Sequence, residues 1–447
     1  MTAARIAALV LGLASPVAAQ TSPLTLERVE QIAMENNPTL RQAQAQIEAA
    51  RGRARQAGAW PNPVIGYSAE EIPLANEVRG GQHGVFVEQT VPLGGKLGLG
   101  RNVFRAQATE AEALATLQRQ RVLNAVRTAF YQSLAAERRV DVQERLSRLI
   151  DEAVIVSRQL ANVGAADKPD VLESEVEAFR ARVALEQAKN RRFAIWRELT
   201  AVMGDPALPV QPLAGSIESA IPEIDRDSAL QLVLSRSPEL AAARAAIERS
   251  RAIVSQSRRT TFPDLFLRGG FSNNREPRDD GPLRSIGSQV SFEAGVSVPL
   301  FDRNRGSIAA ARADQGRAEA EVRRIELALH SRFAGAYEQY LTSLRSSETY
   351  RVEILPRAEE AYRLYLARYR EMGAAYPQVL IAQRSLLQLS DEYLASLDDA
   401  WRAAIDVQGL LTMDGLSAPG RPGEPSEAGS MEGGRSRSTG GERRNEE

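Results

Sequence analysis

The chain consists of two similar halves, and this duplication constrains its fold more than any other feature. Sequence markers recur in the same order at an offset of about 200 to 210 residues. The matched markers are Asn37-Pro38-Thr39-Leu40 with Ser237-Pro238-Glu239-Leu240, Val91-Pro92-Leu93 with Val298-Pro299-Leu300, Phe130-Tyr131 with Ala336-Tyr337, Val163-Gly164-Ala165-Ala166 with Met372-Gly373-Ala374-Ala375, and Asp170-Val171-Leu172 with Gln378-Val379-Leu380. Because chance convergence on so many ordered markers is improbable, we predict two structural repeats, over residues 20–213 and 214–415.

Each repeat has the pattern helix, strand pair, very long helix, turn and long helix. A composition rich in Ala, Glu, Arg and Gln predicts helices over residues 24–57 and 226–259, and returning helices follow over 170–202 and 378–411. No proline occurs between Pro92 and Pro169, and a helix through most of that span would be about 100 Å long. The predicted fold class is therefore α+β, with a duplicated helix-strand-strand-helix unit.

The long helices end in coiled-coil seams. Apolar residues alternate three- and four-residue steps in each repeat. The seams comprise Leu146, Leu149, Ala153, Val156, Leu160 and Val163 in the first repeat, and Leu355, Ala358, Tyr362, Tyr365, Tyr369 and Met372 in the second. Both seams stop at a glycine, Gly164 and Gly373, where the missing Cβ lets a chain reverse direction. A fibrous coiled coil or a soluble helix bundle is the alternative interpretation of the helices alone.

Alternating side chains predict strands that face a membrane. Over residues 289–298, apolar residues occupy one face and small or polar residues the other, as in a strand with a lipid side and a water side. The predicted lipid-side residues are Val290, Phe292, Ala294, Val296 and Val298. Weaker alternation near residues 65–68, 85–91 and 264–271 predicts three more strands, with loops near 71–82 and 272–288. Four strands cannot close a barrel, so a trimer that supplies about twelve is the smallest open pore expected.

The first residues have the layout of a secretory signal peptide. Arg5 precedes an apolar run, and Val17-Ala18-Ala19 forms a small-residue cleavage site, so we predict a signal peptide over residues 1–19. No later stretch reaches the roughly 18 uninterrupted apolar residues of a membrane helix, and a membrane-spanning part must then be a closed β-barrel. The formal net charge of -1 gives no reason to expect a nucleic acid partner.

Residue types that hold metals or perform catalysis are scarce. The chain has no cysteine, two histidines and six methionines. We therefore expect no enzyme, no cofactor and no metal site, and we interpret His83 and His330 as surface or packing residues. Residues 416–447 are rich in Gly, Ser, Glu and Arg, which predicts a disordered tail.

Together these features resemble the TolC-like outer-membrane efflux family over about residues 24–415. Two runs are similar to its CzcC-type branch, which accompanies heavy-metal exporters: Trp60-Pro61-Asn62-Pro63 and Val91-Pro92-Leu93-Gly94-Gly95-Lys96. The resemblance implies a homotrimer, with a twelve-stranded β-barrel among outer-membrane lipid and a long α-helical coiled-coil barrel in the periplasm. It implies a periplasmic adaptor and an inner-membrane RND pump as partners, and divalent heavy-metal cations as cargo.

The resemblance also assigns roles to residues at the tips of the helices. The tips that such channels present to their adaptor match Val163, Gly164, Ala165, Met372, Gly373 and Ala374. A glycine needed only for the chain reversal is the alternative, and the two roles are compatible.

The acidic gate residues of the family have counterparts in the first repeat alone. Asp170 and Glu173 match the residues that line the narrow periplasmic opening, whereas Gln378 and Ile381 hold these positions in the second repeat. Three copies would place about six carboxylates in one opening, which favours cations. Alternatively, Asp170 serves with Asp167 as a helix N-terminal charge that complements the dipole.

Two other functions share parts of this pattern. A type I secretion outlet has the same fold and would export polypeptides. A periplasmic coiled-coil scaffold would hold partners apart without transport. Membrane extraction distinguishes the scaffold, because a duct needs detergent and runs as a heat-sensitive trimer.

Overall fold

The structure, a computed structural model, describes residues 23–72, 81–277, 285–412 and 414–423. The predicted signal peptide lies outside the described residues. So do residues 73–80 and 278–284 of the predicted loops and residues 424–447 of the predicted tail.

Secondary structure follows the same order in both halves of the described chain. The first half contains α1 (Leu26–Asn36), α2 (Pro38–Ala57), β1 (Val64–Glu70), β2 (Gln82–Val91), α3 (Lys96–Asn162) and α4 (Lys168–Met203). The second contains α5 (Arg226–Arg236), α6 (Pro238–Arg259), β3 (Leu265–Pro277), β4 (Ser285–Val296), α7 (Arg305–Thr349), a π-helical turn (Tyr350–Ile354), α8 (Leu355–Arg370) and α9 (Tyr376–Gln408).

The first helix predicted in each half is two helices. Asn37 and Ser237 have extended backbones between the paired helices. Each precedes a proline, whose ring disfavours helical geometry in the residue before it. Each side chain also caps the next helix: Asn37 accepts a hydrogen bond from the Thr39 N–H at 2.9 Å, and Ser237 accepts one from Leu240. The predicted single helices over 24–57 and 226–259 are therefore wrong at these two positions.

The four strands form one antiparallel sheet in the order β1-β2-β3-β4. Residues directly opposite each other in such a sheet share a face. Val290, Phe292, Ala294 and Val296 of β4 lie opposite Phe271, Gly269, Leu267 and Leu265 of β3. This register assembles the predicted lipid-side residues into one largely apolar face, whereas Val298 lies beyond the end of β4.

The apolar face of the sheet is open in the single chain. Val290 is 82% exposed and Phe292 is 76% exposed. β1 and β4 are the edge strands, and each pairs with one neighbour in the described chain. A row of unpaired backbone groups and an exposed apolar face are features that a soluble protein avoids.

The long helices give the molecule its length. α3 has 67 residues, which corresponds to about 100 Å. α7, the π-helical turn and α8 form its counterpart, and the turn ends two residues before Pro356. Proline lacks an N–H and would clash with the carbonyl four residues earlier in a regular α-helix, so the wider turn accommodates it. Among the described residues, no helix is both long and apolar enough to cross a membrane.

Both predicted seams contribute to one apolar cluster between the hairpins. Its buried residues are Leu146, Ala153, Val156, Leu160, Tyr362, Leu366, Tyr369, Tyr376, Val379, Leu380, Ala382 and Leu386. The second seam is shifted slightly, because Leu366 is buried whereas Tyr365 is exposed. Val163 and Met372, the last residue of each seam, are 73% and 67% exposed. The seams therefore bind the helices together up to the tips, where their last side chains face outward.

The segment after α9 folds back along α3. The fully buried Asn124 donates from its side-chain amide to the carbonyls of Gly409 and Thr412, at 2.8 and 2.6 Å. Further along, Gln118 donates to the Ser417 carbonyl at 3.1 Å. Residues 416–423 belong to the predicted disordered tail, yet they pack against α3, where buried side-chain amides bind the backbone of this segment. The composition of the tail alone does not indicate these partners.

Candidate functional site

The first tip is a helix end closed by a left-handed residue. α3 ends at Asn162, and Gly164 has φ +75°. The Gly164 N–H donates to the Ala161 carbonyl at 3.0 Å, and the Ala165 N–H donates to the Leu160 carbonyl at 2.8 Å. This pair of bonds is the Schellman arrangement, which satisfies the last carbonyls of a helix. Gly164 thus performs the predicted chain reversal.

The second tip has the same hydrogen bonds but a different left-handed residue. Met372 has φ +57°, and its N–H donates to the Tyr369 carbonyl at 3.1 Å. The Gly373 N–H donates to the Arg368 carbonyl at 2.8 Å. Met372 is therefore the structural counterpart of Gly164, and the prediction that Gly373 supplies the reversal is wrong. An alignment that matches Gly164 with Gly373 therefore differs by one residue from the alignment that the structure gives, in which Gly164 matches Met372.

We expect alanine to affect the two glycines differently. Gly164→Ala places a Cβ on a left-handed residue, which costs about 1 kcal/mol and should raise local opening about fivefold. Gly373→Ala should be nearly neutral, because its φ is not left-handed and the new Cβ would lie 3.6 Å from the Arg368 carbonyl oxygen. Hydrogen–deuterium exchange of the peptides at each tip measures this opening.

Met372→Gly is the matched control, and it should slow exchange at the second tip. Equal exchange in the two alanine variants would contradict the assignment of Met372 as the left-handed residue.

The predicted gate residues lie at the start of α4. Asp170 is in its first turn and is half-buried, whereas Glu173 is exposed. Asp167 occupies the N-cap position, but its side chain accepts no capping hydrogen bond. The carboxylates of Asp167 and Asp170 both stand at the N-terminus of α4, where the alternative interpretation expects charges that complement the helix dipole. Only the backbone carbonyl of Asp167 accepts a hydrogen bond there, from the Asp170 N–H at 3.1 Å.

An ion pair that no sequence pattern indicated joins the two returning helices. The side chain of Glu177, one turn beyond Glu173, is 5% exposed. It accepts hydrogen bonds from Arg384 of α9 at 2.6 Å and from Arg180 at 2.8 Å. The hydrogen bond to Glu177 raises the pKa of Arg384, and the negative charge of Glu173 also contributes. Glu173 is four residues before Glu177, so the two lie on the same face of α4, the face from which Glu177 reaches Arg384 of α9.

Buried tyrosines of α8 form hydrogen bonds with α3 close to the tips. The Tyr362 hydroxyl donates to the Leu149 carbonyl at 3.0 Å, and the Tyr369 hydroxyl donates to Ser157 at 3.2 Å. Burial raises the pKa of Tyr362 to about 12 and also raises the pKa of Tyr376. Both hydrogen bonds join α8 to α3, so the two halves are locked to each other close to their tips.

The described residues contain no group of three or more His, Cys, Asp or Glu side chains that could hold a metal ion. The arrangement at the tips thus consists of exposed apolar turns with carboxylates one to two turns above them.

Comparison with known proteins gives consistent matches to both repeats. A family model described as "Outer membrane efflux protein" matches residues 29–205 and 229–412. The cobalt-zinc-cadmium resistance protein CzcC of Cupriavidus metallidurans is 27% identical over 391 residues, which cover 87% of this chain and 90% of CzcC. The nickel-cobalt-cadmium resistance protein NccC of Alcaligenes xylosoxydans xylosoxydans is 25% identical and is matched over 75% of this chain and 74% of its own.

The fold is also similar to solved structures. A crystal structure of CusC, described as forming a transmembrane channel, superimposes with a TM-score of 0.73 at 16% identity. The superposition covers 87% of this chain and 92% of CusC.

Proposed function

The chain belongs to the outer membrane efflux protein family, and we propose that three copies of it form the exit duct of a tripartite metal efflux system. In this proposal the sheets of three chains form a twelve-stranded barrel among outer-membrane lipid. The long helices continue the duct through the periplasm. A periplasmic adaptor and an inner-membrane RND pump deliver divalent heavy-metal cations to its tips.

The observation that supports the duct is the two-faced sheet with open edges. Its apolar face is suited to lipid, and its other face is mostly small, polar or charged, apart from apolar residues such as Phe86 and Phe266. One chain leaves β1 and β4 unpaired, and a membrane does not tolerate unpaired edges. Pairing β4 of one copy with β1 of the next satisfies every edge, and three copies give a barrel wide enough to conduct.

The cargo is inferred from the relatives and from the acidic residues near the tips. By their names, CzcC is a cobalt-zinc-cadmium resistance protein and NccC is a nickel-cobalt-cadmium resistance protein. Within the described chain, Asp170 and Glu173 form no ion pair, whereas Glu177 is neutralised by Arg384 and Arg180. Three copies would thus concentrate about six unpaired carboxylates at the periplasmic opening, which attracts cations.

Single-channel recording of the purified trimer in a lipid bilayer tests this function. The protein should form channels that prefer cations and are blocked by multivalent cations added on the periplasmic side. Asp170→Asn combined with Glu173→Gln should reduce both the preference and the block, because it removes charge and keeps size.

Glu175→Gln is the matched control, since Glu175 faces away from α9 and pairs with Arg158 at 2.6 Å. It should leave selectivity and block unchanged. Absence of channels would refute the duct, and channels whose selectivity and block are unaffected by the double variant would refute the gate assignment.

A further inference from the structure

We infer that a row of charged residues inside the barrel is a second charge-selecting element of the duct, separate from the gate at the tips. The row consists of Glu88, Arg268 and Glu293 on three successive strands. This inference rests on the proposed function, because the row faces a lumen only if the sheets close into a barrel.

The strand register brings the three residues together. Glu88 of β2 lies directly opposite Arg268 of β3, and Arg268 lies directly opposite Glu293 of β4. Adjacent residues on a strand point to opposite faces, so Glu293 and Phe292 face opposite ways. The row therefore lies on the face turned away from lipid, about 10 Å from the ends of the strands that lead into the long helices.

Arg268 is held away from both carboxylates by an aromatic ring. Its guanidinium lies over the ring of Phe86, 4.0 Å from the ring centroid. Phe86 in turn covers Gly66 of β1, where an added Cβ would overlap the ring. Such a stack of cation and ring stabilises the position of the guanidinium. Arg268 thus reaches across β2 toward β1, and its charge is displaced from the row.

The displacement leaves two carboxylates without a neutralising partner. In the part of the chain that the structure describes, neither Glu88 nor Glu293 forms an ion pair. Glu293 is exposed and Glu88 is half-buried. Both are therefore available to ions that pass along the inner face.

Three copies would create a ring with an excess of negative charge. Six carboxylates and three guanidinium groups at one level give a net charge of about -3. Twelve tilted strands about 4.8 Å apart enclose a barrel roughly 24 Å across between backbones. The Debye length at physiological salt is about 8 Å, so the field of inward-pointing side chains reaches the ions in the lumen. Such a ring weakly favours hydrated divalent cations about 100 Å from the tips.

The test is the ratio of cation to anion permeability, measured from reversal potentials of the trimer in a salt gradient. All variants carry Asp170→Asn and Glu173→Gln, so that the carboxylates at the tips do not mask the barrel. Glu88→Gln with Glu293→Gln changes the ring from about -3 to about +3 and should make anions the more permeant ions. Arg268→Gln changes it to about -6 and should at least double the preference for cations.

Glu70→Gln is the control, because Glu70 lies on the same face at the far end of β1, about 20 Å away. It should shift the ratio much less than the change at Glu88 and Glu293. If the trimer conducts but neither the double variant nor Arg268→Gln moves the ratio, this inference fails and the duct stands. If the parent protein forms no channels, the duct fails and this inference fails with it.

Discussion

Arginine at position 292 is expected to prevent assembly of the trimer in the membrane. Phe292 lies on the apolar face of β4, opposite Gly269, and it is 76% exposed in the single chain. In the proposed barrel this side chain contacts lipid. A charged residue near the bilayer midplane costs roughly 2 to 4 kcal/mol in each copy. With three copies in one barrel, Phe292→Arg should reduce the yield of heat-sensitive trimer in outer-membrane extracts at least tenfold.

Ser291→Arg is the matched control one residue away. Ser291 points to the other face, beside Gly270. A Cβ added to Gly270 would lie 2.7 Å from the Ser291 hydroxyl oxygen. The missing side chain of Gly270 leaves room for a larger residue 291, and its charge would meet water in the lumen. Near-normal trimer yield is therefore expected. Equal yields for the two arginine variants would show that the faces of β4 are assigned wrongly.

Much of the fold could be predicted from residue patterns because it is repetitive and locally determined. The alternation in β4 and the absence of proline between Pro92 and Pro169 identify a strand and a very long helix without knowledge of any partner. The breaks at Asn37 and Ser237 were not predicted, but the local sequence does indicate them. At each position an asparagine or a serine is followed by proline, which is a pattern typical of the start of a helix.

The errors lie where the tertiary structure overrides local preference. Glycine is the usual left-handed residue at the end of a helix, yet Met372 takes that conformation and Gly373 does not. The left-handed residue that closes α8 thus stands one position earlier than the glycine suggests. Similarly, the packing of residues 416–423 depends on Glu110 and Gln118, which lie about 300 residues earlier in the chain.

Tertiary packing is also the reason why the sequence did not indicate the ion pair between Glu177 and Arg384 near the tips. Glu177 and Arg384 are each ordinary helical charges in the sequence, and only the packing of α4 near α9 makes them partners. Local patterns can identify which residues share one helix face. They cannot identify which face of another helix will lie opposite, because many pairings of charged residues are possible along helices of this length.

A large charged side chain at either tip is expected to abolish metal export without harming the channel. Ala165 is exposed beyond the end of α3, and Ala374 is half-buried at the second tip. The turn at the first tip depends on backbone bonds, including that from the Ala165 N–H to the Leu160 carbonyl, so Ala165→Arg keeps them. If the adaptor docks here, the arginine becomes a buried unpaired charge, which costs about 2 kcal/mol or more and lowers affinity roughly thirtyfold.

The measurement is the metal tolerance of cells that depend on this channel, for Ala165→Arg and Ala374→Arg separately. Tolerance should fall to that of cells without the channel, whereas trimer yield and single-channel conductance should match the parent protein. Those two readouts separate lost docking from lost folding, since a misfolded tip would also change conductance. Ala374→Arg carries the greater risk of local disturbance, because Ala374 is half-buried, so Ala165→Arg decides the question. Normal tolerance in both variants would place the docking surface elsewhere than at Val163, Gly164, Ala165, Met372, Gly373 and Ala374.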